Sequence, residues 1–189
     1  MIRVAIIEGD VLASSAEAIM LPIDGLLPNT TDTTIVERSL GRIARSFARR
    51  YPECDLAAEI DAQVTFPLPL GRAAHIELSA GSPFRFAVLL SMLPHHADQT
   101  SDETVRAAAA GAFAQGLGLC DTLAVASVAA PLLKAGWRIT TGVAMTVMLK
   151  ALAGADLRHS LAVEIRILDE PAAAAQMRDL ARSFGIDLS

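Results

Sequence analysis

The stretch Phe84-Arg-Phe-Ala-Val-Leu-Leu-Ser-Met-Leu93, bounded by Gly81-Ser82-Pro83 before it and Pro94 after it, decides the class of fold. It is far short of the roughly 18 apolar residues that a membrane-spanning helix needs. Its flanking Gly and Pro residues also confine it to the length of a strand. An apolar run of this kind predicts a central strand covered on both faces, as in α/β proteins whose sheets carry helices on either side.

Downstream of that strand, Thr100-Ser-Asp-Glu103 has the form of a capping box and opens an Ala-rich helix that is expected to fade at Gly116 and Gly118. A strand over residues 122–128 follows. Val143, Met145, Met148, Leu149 and Leu152 then recur at helical spacing up to Gly154. Residues 161–168 read as the next strand, and Asp169-Glu170-Pro171 opens a final helix that stops near Gly185.

Upstream, residues 2–8 and 16–21 are short and aliphatic, and they are joined through Gly9 and Asp10. Ile35, Val36, Leu40, Ile43, Ala44 and Phe47 predict a helix over residues 35–49 with a capping box at Thr34–Glu37. Residues 63–66 and 72–78 alternate weakly and are separated by Pro67 and Pro69, so edge or bent strands are expected. The whole predicts one α/β domain over residues 1–189, a three-layer α/β/α sandwich around a mixed sheet.

Composition narrows the function. A chain of 189 residues that is 52% hydrophobic has material for a large core. Its net charge of -5 offers no basic face for nucleic acid. Neither nucleic acid nor membrane is an expected partner. The strand beginning directly after Met1 does not have the form of a secretory signal, so a cytoplasmic location is expected. Cys54 and Cys120 are too few and too far apart for a disulfide framework and read as reduced thiols. His95-His96 point in different directions on extended chain, and no Cys or carboxylate cluster completes a ligand set. No metal and no cofactor is expected.

The order of these pieces resembles the macro domain along nearly the whole chain. Gly9-Asp10-Val11, followed by Glu17-Ala-Ile-Met-Leu-Pro-Ile-Asp24, resembles the family's run from its Gly-Asp-Ile turn to its second strand end. Gly71-Arg-Ala-Ala-His-Ile-Glu-Leu78 resembles its Gly-Glu-Ala strand, and residues 86–94 resemble the apolar strand after it. Residues 123–131 and 163–170 match its last two core strands. The collinear set, rather than any one match, is specific.

The resemblance implies binding of ADP-ribose or a related nucleotide, and in some members hydrolysis of ADP-ribosyl linkages. It puts Asp10 against the adenine amino group, assisted by the Val11 amide, and Ile23 and Asp24 at the distal ribose. Thr33 and Thr34 fall in the first binding loop, and Leu132, Leu133, Lys134, Ala135, Gly136 and Trp137 in the second. The bland reading of Asp10 is a turn residue whose carboxylate caps the next segment.

Departures from the family's pattern bear on chemistry. Leu21 and Asp24 stand where the family has two Asn, and a carboxylate there repels a nearby pyrophosphate by about 1 to 4 kcal/mol. The first loop is Asn29-Thr-Thr-Asp-Thr-Thr34 instead of Gly-rich. In the second, Pro131 lacks an amide hydrogen, while Lys134 offers a compensating point charge. Three readings follow: a nucleotide-binding module, a hydrolase with Asp24 orienting water or ribose, and a scaffold without ligand that serves oligomerisation or protein contact.

Overall fold

The computed structural model describes residues 1–25, 42–93, 100–134 and 138–188. Six strands form one sheet: β1 (Ile2–Glu8), β2 (Ala18–Ile23), β3 (Ala73–Glu77), β4 (Phe86–Ser91), β5 (Ser127–Pro131) and β6 (Leu161–Ile167). Their order is β1-β6-β5-β2-β4-β3, with every neighbouring pair parallel except the antiparallel β3 and β4. The sheet is therefore mixed, with its one antiparallel strand at an edge.

Among the described residues, five α-helices cover the sheet: α1 (Arg42–Arg50), α2 (Leu56–Gln63), α3 (Asp102–Thr122), α4 (Thr141–Ala153) and α5 (Pro171–Ser183). A short 3-10 helix, Val11–Ala13, follows β1. The core divides into two apolar layers. One joins α3, α4 and α5 through Phe113, Met148 and Met177 to Met20, Val88 and Ile165; the other joins α1 and α2 through Phe47 and Ile60 to Ile19, Leu21 and Leu89. Every residue of β2 and β4 is buried, as expected for strands covered on both faces.

The decisive apolar stretch contributes β4, and β1 has the boundaries expected of it. Four other expectations are corrected. Residues 63–66 do not form a strand, because Gln63 ends α2, a helix capped by the Asp55 carboxylate accepting from the Ala58 amide at 3.1 Å. The long helix does not fade at its glycines. A Cβ on Gly116 would lie 3.0 Å from Leu90 Cδ2 and 3.2 Å from Met20 Cε, so this glycine lets α3 settle closely on the sheet instead of ending the helix. The helix runs on to Thr122, and the strand expected from there starts at Ser127. Its cap is Ser101, one residue past Thr100, with Oγ accepting from the Thr104 amide at 3.1 Å. The described part of the helix expected over residues 35–49 is α1; its capping box lies outside the described residues.

The end of α3 fastens the segment that leads into β6. Asp121, buried there, accepts from the His159 amide at 2.8 Å and from Arg158 Nε at 3.0 Å. Those bonds, the His159 amide first, hold its carboxyl well below the usual carboxylate range despite burial. A carboxyl lowered by folding stabilises the fold above its ordinary value of about 4, and that contribution is lost as the pH falls through the lowered one. Asp121→Asn is therefore expected to be less stable than wild type at pH 7, with the gap closing below about pH 4. Urea denaturation across that range checks this; a gap independent of pH would refute the role of the charge.

Candidate functional site

Because β1, β6, β5 and β2 are neighbours and parallel, the segments that leave their carboxyl ends line up along one crest of the sheet. Residues 9–14 follow β1, residues 168–170 follow β6, residues 132–134 follow β5, and residues 24–25 follow β2. Ligands of open α/β sheets bind at such crests. The expected site residues that can be described, Asp10, Val11, Ile23, Asp24, Leu132, Leu133 and Lys134, all belong to it. Thr33, Thr34, Ala135, Gly136, Trp137, His95 and His96 lie outside the described residues.

At the β1 end, one oxygen of Asp10 caps the 3-10 helix, Oδ1 accepting from the Leu12 amide at 3.0 Å. The other, Oδ2, is 3.2 Å from Arg50 Nη1, and both side chains are half exposed at 40% and 47%. Capping and solvent access thus coexist in this carboxylate. The turn beneath it is rigidly supported. Ser14 Oγ donates to Glu164 Oε2 at 2.7 Å and accepts from the Ala16 amide at 3.0 Å, while Arg166 Nε donates to the same Glu164 oxygen at 3.0 Å. From the other side, the Tyr51 hydroxyl donates to the Leu12 carbonyl at 2.8 Å. The Val11 side chain is buried, so any ligand contact it makes is through its backbone.

The Gly9 amide, one residue before Asp10, donates to the Ile167 carbonyl at 2.9 Å, which joins the segment after β1 to the one after β6 that begins with Leu168. Leu168 is 52% exposed, which makes it one of three large hydrophobic residues left open to solvent among the described residues. Sequence reading placed it as the last residue of a strand. Its exposure is a consequence of β6 ending at Ile167 and of the left-handed turn at Asp169, whose φ is 60°.

At the β2 end, Ile23 is fully buried, and its carbonyl accepts from the Met92 and Leu93 amides at 3.2 and 3.1 Å. Its side chain is core. Asp24 is partly buried, and the next residue, Gly25, packs tightly against Leu68 and Ser91. Asp24 thus lies between the buried end of β2 and a closely packed glycine.

At the β5 end the described residues are engaged within the protein. Leu133 is buried in the larger apolar layer of the core, and Leu132 packs partly against the same layer. Lys134 Nζ is 2.7 Å from Glu170 Oε1, and Glu170 Oε2 accepts from Thr141 Oγ1 at 3.0 Å. The Lys134 hydrogen bond, followed by that of Thr141, holds the Glu170 carboxyl below its ordinary value. Lys134 is therefore an ion-paired strap between the β5 loop and the starts of α4 and α5, and its charge is matched within the protein.

Sequence reasoning did not assign Arg50, Leu168 or Glu170 to the site. Arg50 ends an amphipathic helix with basic residues, an ordinary helix-end signal. Glu170 was visible only as a residue before the Pro171 of α5.

This architecture and crest define a macro-domain fold. Among solved structures, the chain superposes on the macro domain of ganglioside induced differentiation associated protein 2 with a TM-score of 0.70 at 14% identity, covering 95% of this chain and 84% of that one. The Oceanobacillus iheyensis macrodomain with ADP gives 0.58 at 14% identity, covering 93% and 87%, and a mutant of it with ADPR gives 0.56 at 14%, covering 96% and 91%. The macrodomain of Thermus aquaticus DarG gives 0.56 at 18%, covering 89% and 98%. No family model and no curated protein matches the sequence. Among the described residues no helix is long and apolar enough to cross a membrane.

Proposed function

We propose that this chain binds ADP-ribose or a related adenine nucleotide along the crest formed by the carboxyl ends of β1, β6, β5 and β2. The observation that carries the reading is the Asp10 carboxylate. It is fixed at Oδ1 by the Leu12 amide and accessible to solvent, on the same crest as the exposed Leu168. A fixed acceptor on a crest that also exposes an apolar side chain suits a base that carries an amino group and a flat face. Solved neighbours of the same fold with ADP and with ADPR support a nucleotide-type ligand.

Calorimetric titration with ADP-ribose tests it. Removing a charged acceptor costs about 1.5–3 kcal/mol, so Asp10→Ala is expected to bind roughly 10- to 100-fold more weakly than wild type. Absence of heat from the wild type at millimolar ADP-ribose would sink the reading.

A second reading, a macro-type scaffold that has lost its ligand and serves contact with itself or another protein, is favoured by the β5 end. There Leu133 is in the core and Lys134 is matched by Glu170. A hydrolase would use Asp24 to orient water or ribose, and turnover of an ADP-ribosylated substrate that disappears in Asp24→Ala is the result it requires.

A further inference from the structure

The Arg50 guanidinium stands beside the Asp10 carboxylate on the crest, and we propose that the two read one edge of an adenine together. Asp10 accepts from the exocyclic amino group and Arg50 donates to the ring nitrogen N7 next to it. The inference rests on the nucleotide-binding reading above and names a residue that sets its base specificity.

Three observations carry it. Arg50 Nη1 lies 3.2 Å from Asp10 Oδ2, so an acceptor and a donor are presented side by side, as the amino group and N7 are on a purine. Both side chains are half exposed, at 47% and 40%, so the pair is open to a ligand edge. A guanidinium carries five N–H donors in a planar fork, and among the described residues Asp10 is its acceptor, which leaves donors for a second partner.

Arg50 is also held where this role needs it. It is the last residue of α1, and the adjacent Tyr51 donates to the Leu12 carbonyl at 2.8 Å, so the end of α1 is fastened to the 3-10 helix that Asp10 caps. The guanidinium carbon lies 5.9 Å from the Tyr51 ring centroid, which further confines it. Such an exposed ion pair adds little stability by itself. Its value is geometric, because the carboxylate keeps the fork turned towards the base.

The test compares ADP with 7-deaza-ADP, in which N7 is replaced by C–H, on wild type and on Arg50→Met. One hydrogen bond at such a site corresponds to roughly a five-fold change in affinity. Wild type is expected to prefer ADP by about that factor. Arg50→Met is expected to bind both nucleotides alike and ADP about five-fold more weakly than wild type. Arg50→Lys, which keeps the charge without the fork, is expected to recover part of the preference, and thermal melting confirms that each variant is folded. If Arg50→Met discriminates as wild type does, Arg50 does not read N7, although the nucleotide reading stands. If wild type binds neither ADP nor 7-deaza-ADP at millimolar concentration, the Arg50 inference falls, and titration with ADP-ribose decides the nucleotide reading separately.

Discussion

Gly25→Ala is expected to destabilise the protein by about 3 kcal/mol or more, an unusually large effect for one added methyl group. A Cβ at this position would lie 1.9 Å from the Leu68 carbonyl oxygen and 2.1 Å from Ser91 Oγ, far inside contact distance. Neither neighbour is free to retreat. The Leu68 amide donates to the Gly25 carbonyl at 2.7 Å, and Ser91 Oγ donates to the Leu68 carbonyl at 3.0 Å. Relieving the overlap therefore breaks at least one of these bonds at a buried strand end, where an unmade hydrogen bond costs about 1–3 kcal/mol on top of the steric term. The same shift would displace Asp24 at the crest. Denaturant unfolding measures the first effect, and a loss under about 0.5 kcal/mol would show that residues 66–69 yield freely.

Phe47→Ala is expected to cost about 3–5 kcal/mol, the usual range for emptying a buried aromatic site. Phe47 is fully buried on α1 and packs against Tyr51 and Phe84, with ring centroids 5.0 and 6.2 Å away. Tyr51 and Phe84 are themselves edge to face at 6.3 Å, so three rings clamp α1 onto the sheet. Loss of the central ring loosens the end of α1, and with it the Tyr51 and Arg50 contacts to the 3-10 helix. In a domain of this size the melting temperature is expected to fall by roughly 8–15 °C. A fall of only 2–3 °C would mean that the cavity collapses and that Tyr51 holds the clamp alone.

Much of the fold was legible along the chain because strands buried on both faces and helices packed on one face leave different periodicities. β1 and β4 came from aliphatic runs, and α4 came from helical spacing closed by Gly154. Legibility failed where the pattern was thin or a residue had two uses. Helix α2 buries only Leu56 and Ile60, so its face hardly shows, although Asp55 three residues before Ala58 was a capping signal. Gly116 read as a helix stop because glycine is a poor helix former; its use here is to make room for Leu90 and Met20.

The site was legible to the extent that it follows from where strands end. Asp10, Asp24 and Lys134 stand at the carboxyl ends of β1, β2 and β5, and parallel pairing gathers those ends on one crest. The state of each side chain was not. Lys134 looked like a charge available to an anion, yet it is paired with Glu170, 36 residues away. Asp10 looked like either a cap or an acceptor for a base, and it caps with one oxygen while holding the other towards Arg50, 40 residues away.

What the sequence by itself determined was the succession of strands and helices, and hence the layered sheet with its crest, because local periodicity and turn chemistry act between near neighbours. What only the tertiary structure decided was how the charges on that crest are matched and which of its hydrophobic side chains stay open. Ion pairs and exposure depend on distances between segments far apart in the chain, and no local pattern records them.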